Sequence, residues 1–313
     1  MFVGIDISKT TLHIAILPSG EQFTVDNSPS GIATLLERCK LEPPALIVFE
    51  PSGGYELAVL LELNAAGQRV AMIDAKRIKD FISSTGQRAK SDALDAMNIA
   101  LFAERMQPAP TAIPERERRE LEHWVTRRAQ VTAMLVAEKN RLALADPTVR
   151  PHVMAHIAFL EDQRRGIDDE LERRINASSV YAALSQVLMS VPGVGPGTAT
   201  ALVAMLPELG ALSRERITAL AGLAPHVRSS GVWRGQQFIA GGRVAVRCAL
   251  YMAALSARRC NPVIRVLFER LRAKGKPFKV CMVACMRRLL LILSALARSG
   301  AVFDATRGRA RTA

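Results

Sequence analysis

Four carboxylates constrain this chain more than any other feature: Asp6, Glu50, Asp92 and Asp95. Asp6 falls in MFVGIDISK, which reads as the first strand of a domain, and Glu50 closes a second strand-like run, ALIVFEP. Asp92 and Asp95 stand three apart in KSDALDAMNIALFAERM, a spacing that puts both on one helical face. If the two strands are neighbours and the helix packs beside them, four acids converge. At an effective dielectric of about 20, two like charges about 4 Å apart repel by about 4 kcal/mol. A fold that gathers such a cluster has to protonate it or supply hard cations. A pair of Mg²⁺ ions held by carboxylates is suited to phosphodiester chemistry.

Charge is distributed unevenly. The net charge is +13, but from Val227 onward 18 Lys and Arg face only Glu269 and Asp304, which gives +16 there and leaves −3 for the first 226 residues. An acidic catalytic half and a basic half point to a polyanionic partner, with nucleic acid first and a ribosome or membrane surface as the alternative. Aromatics make up 5% of the chain, too few for a protein built only to stack on single-stranded bases. Cys39, Cys248, Cys260, Cys281 and Cys285 form no CxxC pair and no zinc spacing, so they read as reduced thiols of a cytoplasmic protein. The N-terminus lacks a basic stretch before an apolar run, and LLLILSALA is about half of a membrane span. Both observations predict a soluble chain.

Three segments are expected along the 313 residues. In 1–107, FVGIDIS, TLHIAILP and EQFTVDN read as consecutive strands. They are followed by a serine-capped helix, the buried strand ALIVFEP, a helix stopped by Gly67 and the strand QRVAMIDA. Three strands followed by alternating strand and helix match an RNase H-like, RuvC-like mixed sheet. In 108–180, after Pro108, Pro110 and Pro114, two charged helices broken at Asp146-Pro147 predict an antiparallel hairpin or a dimerising coiled coil. In 181–313 a mostly helical basic domain is expected. It opens on VPGVGPGTA, whose Gly193, Gly195 and Gly197 suit a helix-hairpin-helix turn against phosphate or a plain interhelical turn. The terminal ATRGRARTA reads as a disordered basic tail.

A second constellation lies in LAPHVRSSGVWRGQQFIAGGRVAVR, where Ser229-Ser230-Gly231 is flanked by Arg228, Arg234, Arg243 and Arg247. A serine hydroxyl needs help to attack, and clustered arginines both hold a phosphate and neutralise charge developing on it. His226 is a candidate proton acceptor, and Gly241-Gly242 lets the chain turn into the following helix.

GIDISK, FEPSGGYE, KSDALDA, NRL, VPGVGPGTA and GLAPHVRSSG stand in an order that resembles the DEDD-type insertion-sequence transposases with a serine-bearing C-terminal domain. That group also includes the pilin gene invertases. The resemblance covers nearly the whole chain. It implies that Asp6, Glu50, Asp92 and Asp95 are RuvC-like ligands for Mg²⁺, with Mn²⁺ as a substitute, and that Ser230 or Ser229 is the nucleophile. The group commonly has a second glycine after its serine and glycine; here Val232 and Trp233 follow. The resemblance further implies a covalent phosphoserine link to DNA and a site assembled from two protomers of a dimer or tetramer. It also implies guidance by a structured RNA that pairs with donor and target DNA. Two other readings stay open: a Holliday-junction resolvase-like nuclease using the acids and water, and an inactive DNA-binding relic.

Overall fold

A computed structural model of the chain describes residues 1–84, 92–226, 229–230, 233–234 and 238–305, with backbone alone at 92–93, 229–230 and 233–234. The chain divides into two compact units, Met1–Pro114 and Glu115–Ala313.

In the first unit, β1 (Phe2–Ile7), β2 (Thr11–Leu17) and β3 (Gln22–Asp26) form an antiparallel meander. Helix α1 (Pro29–Leu41) begins where the Ser28 hydroxyl accepts from the Gly31 amide at 3.3 Å. It leads into β4 (Leu46–Phe49), which pairs parallel to β1, as a strand reached through a crossover helix can. All four β4 residues are buried, the pattern of a strand covered on both faces. Next come α2 (Leu57–Ala65), β5 (Val70–Met72), α3 (Ala75–Ser84) and α4 (Asp92–Met106). The mixed sheet runs β3-β2-β1-β4-β5, an order compatible with the expected RNase H-like layout.

Alternation decides what each face carries. Val3, Ile5 and Ile7 of β1 pack with Ile47 and Phe49 of β4 against the Ile32, Leu35, Val59 and Leu63 side chains of α1 and α2. On the other face, Leu46 and Val48 join Ile78 of α3 and Ile99 and Phe102 of α4. Gly4 lies under α4: a Cβ there would stand 2.2 Å from the Ala100 amide nitrogen and 2.3 Å from the Ala96 carbonyl oxygen. The helix therefore rests directly on the β1 backbone.

In the second unit, α5 (Arg116–Leu144) and α6 (Arg150–Ala177) form an antiparallel hairpin. The ion pairs Glu120–Arg174, Arg128–Asp168 and Lys139–Glu161 run in opposite directions along the two helices. Leu121, Val131 and Leu135 share one core with α7 (Ser179–Met189), α8 (Pro196–Met205), α9 (Arg214–Leu220), α10 (Val244–Cys260), α11 (Pro262–Ala273) and α12 (Phe278–Ser299). The hairpin thus belongs to the same body as the C-terminal helices.

Helix α12 is longer than its most apolar run suggests. Its 22 residues hold an 18-residue stretch of mean hydropathy 2.0, long and apolar enough to cross a membrane, yet 44% of that stretch is buried inside the unit. Met282, Cys285, Met286, Leu289, Leu290 and Leu293 face the core, which makes α12 the unit's central packing helix.

Between α9 and α10 the chain forms two short antiparallel ladders. Strands β6 (Pro225–His226) and β9 (Phe238–Ile239) pair, and nested between them β7 (Ser229–Ser230) pairs with β8 (Trp233–Arg234).

Candidate active site

The last parallel pair between β1 and β4 is Ile5 with Phe49; the next residue on each chain is Asp6 and Glu50. Asp6 shares its strand face with Gly4, and Glu50 continues the Leu46–Val48 face, so both acids open toward α3 and α4. They meet Asp95 in a cleft of about 440 Å³, lined also by Asn98 and Ile99 of α4 and by Ile78, Lys79 and Ser83 of α3. It opens at the carboxyl ends of two adjacent parallel strands, where ligands of open α/β sheets gather. Three of the four acids expected to converge do so. The Asp92 side chain lies outside the described residues; its backbone is the first residue of α4, one turn before Asp95.

Local chemistry holds the acids in place. In FEPSGGYE the Glu56 carboxylate accepts from the Ser52 amide at 3.0 Å, the Ser52 hydroxyl at 2.8 Å and the Gly54 amide at 2.8 Å. The loop following Glu50 is thereby tied into a fixed shape. Partial burial works to raise the Glu56 carboxyl, but hydrogen bonds from its own amide, from Ser52 and from Gly54 outweigh it and hold it below the ordinary value. Asn27 joins the two strand ends: its side-chain amide donates to the Ser8 carbonyl at 2.9 Å and to the Tyr55 carbonyl at 3.1 Å.

Among the described residues no three His, Cys, Asp or Glu side chains form a group tight enough to hold a metal ion on their own. The donor chemistry of the cleft nonetheless fits one class of ion. Carboxylates of Asp6, Glu50 and Asp95 and the carboxamide of Asn98, only 4% exposed, offer oxygen donors, with no thiolate or imidazole among the lining residues. That set suits Mg²⁺ or Mn²⁺ over zinc. Asn98, Lys79 and Ser83 did not stand out in the sequence. Asn98 could have, since it continues the Asp92–Asp95 face by a further three residues.

The basic-half residues have more varied surroundings. The Ser229 and Ser230 side chains, the Arg234 side chain and the whole of Arg228 lie outside the described residues. The His226 ring packs against Phe238 with centroids 5.8 Å apart. Arg243 caps the approach to α10 as an ion-pair residue: it donates to both Glu208 carboxylate oxygens at 2.7 Å and to the Met205 carbonyl at 2.9 Å. Burial works to raise the Glu208 carboxyl, and the Arg243 hydrogen bonds overcome it and hold the carboxyl low. Arg247 donates to the Gly241 carbonyl at 2.6 Å, bracing a turn in which Gly241 and Gly242 take φ of 65° and 67°.

Gly193 and Gly195 lie in the α7–α8 turn, and Gly197 lies in the first turn of α8. Gly193, at φ 98°, abuts α10, where a Cβ would stand 2.5 Å from the Ala257 Cα; close helix packing requires this glycine. Gly195 caps α8, and the Gly197 site lies 3.5 Å from the guanidinium of Arg128, which is itself paired with Asp168.

Residues 3–145 match a family model described as Transposase, of the DEDD group, and residues 185–269 match that of the Transposase IS116/IS110/IS902 family. The pilin gene-inverting protein of Moraxella lacunata is 24% identical over 97% of this chain and 97% of its own length, and that of Moraxella bovis gives the same figures. An uncharacterized protein of insertion element IS110 from Streptomyces coelicolor is 26% identical over 80% of this chain and 64% of its own. These matches define a DNA recombination enzyme of the transposase class. Within that class, the chain belongs to the IS110 family of transposases.

Proposed function

We propose that the chain cuts and exchanges DNA strands at a divalent metal site made by Asp6, Glu50, Asp92 and Asp95, with a serine of the Ser229–Ser230 pair as nucleophile. The convergence of Asp6, Glu50 and Asp95 on one cleft carries this reading. Bound Mg²⁺, or Mn²⁺ in its place, would supply Lewis-acid stabilisation of charge on the phosphate and the departing sugar oxygen. The carboxylates and the Asn98 oxygen would hold it. As the serine Oγ bonds to phosphorus, the ester bond to one sugar oxygen breaks. The hydroxyl proton passes to a base, for which His226 is the candidate, and the departing oxygen takes up a proton. Arg228, Arg234 and Arg247 would offset phosphate charge near the serines, and the Gly193–Gly197 turn would present backbone amides to a neighbouring phosphate as a helix-hairpin-helix does.

DNA is the substrate of the class. A structured guide RNA and a homo-oligomer, dimer or tetramer, extend the reading. The α5–α6 hairpin offers Met134, Val136, Met154 and Phe159, all exposed, as apolar contacts for self-assembly.

The decisive experiment incubates the protein with Mg²⁺, element RNA and DNA and looks for DNA covalently attached to a serine. The Ser229→Ala/Ser230→Ala variant should lose both cleavage and adduct. Asp95→Asn should lose cleavage while nucleic-acid affinity stays within about threefold, well under the roughly 1.4 kcal/mol of a tenfold change. A second reading, a junction-resolving nuclease using the acids and water, is favoured by the acid cleft's lying wholly inside the first unit. Cleavage that survives loss of both serines would establish it and end the serine mechanism.

A further inference from the structure

A second cleft, of about 410 Å³, lies in the helical unit and belongs to none of the sites above. Its walls carry Arg214, the first residue of α9, and Arg288 and Arg298 of α12, and no acidic residue lines it. Its floor is apolar, with Leu291, Ile292 and Ala295 among the lining residues. Positions 288, 291, 292, 295 and 298 recur at helical spacing along one flank of α12, where Leu291 and Ile292 are only partly buried at the edge of the core. Arg298 is held in place: its Nε donates to the Gly210 carbonyl at 2.7 Å and its Nη2 to the Leu212 carbonyl at 2.9 Å. Arg214 and Arg288 make no ion pair or hydrogen bond through their guanidinium groups among the described residues.

We propose that this cleft is a phosphodiester-backbone subsite, in which Arg214, Arg288 and Arg298 grip phosphates of one nucleic-acid strand and the apolar floor faces its sugars. Spacing supports it. Arg288 and Arg298 are ten residues apart on one helix, about 15 Å of rise. That is the axial rise of about four phosphates on one strand of a duplex. Guanidinium groups suit phosphate through paired donors, and three arginines on a cleft with no carboxylate among its described lining residues favour a polyanion over a neutral ligand. The inference rests on the DNA-acting class of the chain and is independent of the acid site and the serines.

The test is binding of the full chain, in EDTA so that no cleavage occurs, to labelled duplex DNA and to labelled single-stranded RNA across a salt series. For Arg214→Gln/Arg288→Gln, two lost phosphate contacts should flatten the log–log salt slope by about 1.8 on duplex or about 1.4 on a single strand. The ratio of affinities at 50 and 200 mM salt should then shrink by roughly tenfold on duplex. The nucleic acid that responds identifies the strand held. Arg105→Gln/Arg165→Gln removes the same charge from positions 68% and 73% exposed elsewhere and should leave the slope unchanged. In the wild-type protein, bound nucleic acid should also protect Arg214 and Arg288 from an arginine-specific dicarbonyl, read by mass spectrometry. That readout does not depend on the variant folding. An unchanged slope on both nucleic acids, an equal change in the control, absence of protection, or loss of binding only to anionic lipid vesicles would each overturn the proposal.

Discussion

Replacing Gly4 by alanine tests how the acid cleft is built. The added Cβ would stand 2.2 Å from the Ala100 nitrogen, where ordinary contact begins at 3.4 Å, a shortfall of 1.2 Å. The obstructing atoms at Ala96 and Ala100 are backbone, so no rotamer change relieves them. Helix α4 has to lift from β1 or the strand has to sink, and overpacking of this kind costs about 1–3 kcal/mol. Asp95 rides on the lifted helix while Asp6 stays on the strand. A separation growing by about 1 Å exceeds the roughly 0.2 Å tolerance of metal–ligand distances, and misplacement on that scale can cost about a hundredfold in rate. Urea denaturation of the first unit's transition and a Mg²⁺-dependent strand-cleavage assay would measure both effects. The Gly4→Ala/Ala100→Gly double variant should recover neither, because it removes a side chain and leaves the backbone in the way. Wild-type stability and cleavage in Gly4→Ala, or rescue by trimming Ala100, would refute the argument.

Glu56→Ala should loosen the loop after Glu50 and cost about 2 kcal/mol, since hydrogen bonds to a charged acceptor are each worth roughly 1.5–3 kcal/mol and water recovers part; equilibrium unfolding against Glu56→Gln checks it. The folded Glu56 carboxyl titrates below its unfolded value of 4.5, so its contribution is present above that value and fades as pH falls through the depressed one. An acid titration of stability should flatten in Glu56→Gln. Burial pushes the Cys39 and Cys285 thiols up to about 11, and Cys281 is buried beside Cys285, whereas Cys248 and Cys260 are exposed. A thiol-reactive disulfide at pH 8 should therefore titrate two cysteines in the native protein and five in denaturant; five without denaturant would contradict the packing of α12 and α1. Arg258 lies over both Phe268 and Phe278, at 5.5 and 5.6 Å from the ring centroids, with its Nε buried and unpartnered. Truncation to alanine should cost about 2 kcal/mol through lost packing and cation–π contact, and methionine should restore most of it in a thermal melt.

Much of this was legible locally. Alternation in FVGIDIS and TLHIAILP, the unbroken apolar run of LIVF and the Ser28 cap each act within a few residues, so the order of strands and helices in the first unit follows from the chain itself. The three-apart spacing likewise put Asp92 and Asp95 on one face before any packing was known. The segment KRIKDFISS carried no clear assignment, yet as α3 it supplies Lys79 and Ser83 to the cleft.

The sequence alone set which residues could carry chemistry: acids at strand ends, a basic second half, and a serine pair among arginines. Only the tertiary structure decided which of them meet. Asp6 faces the cleft because its register against β4 puts it on the α4 side, and a slip of one residue would turn it to the other face. Asn27 links Ser8 to Tyr55, and Arg243 is committed to Glu208 across 35 positions of chain. Such contacts depend on how separate elements dock, and docking is fixed by the summed burial of whole faces, which no short window of sequence contains.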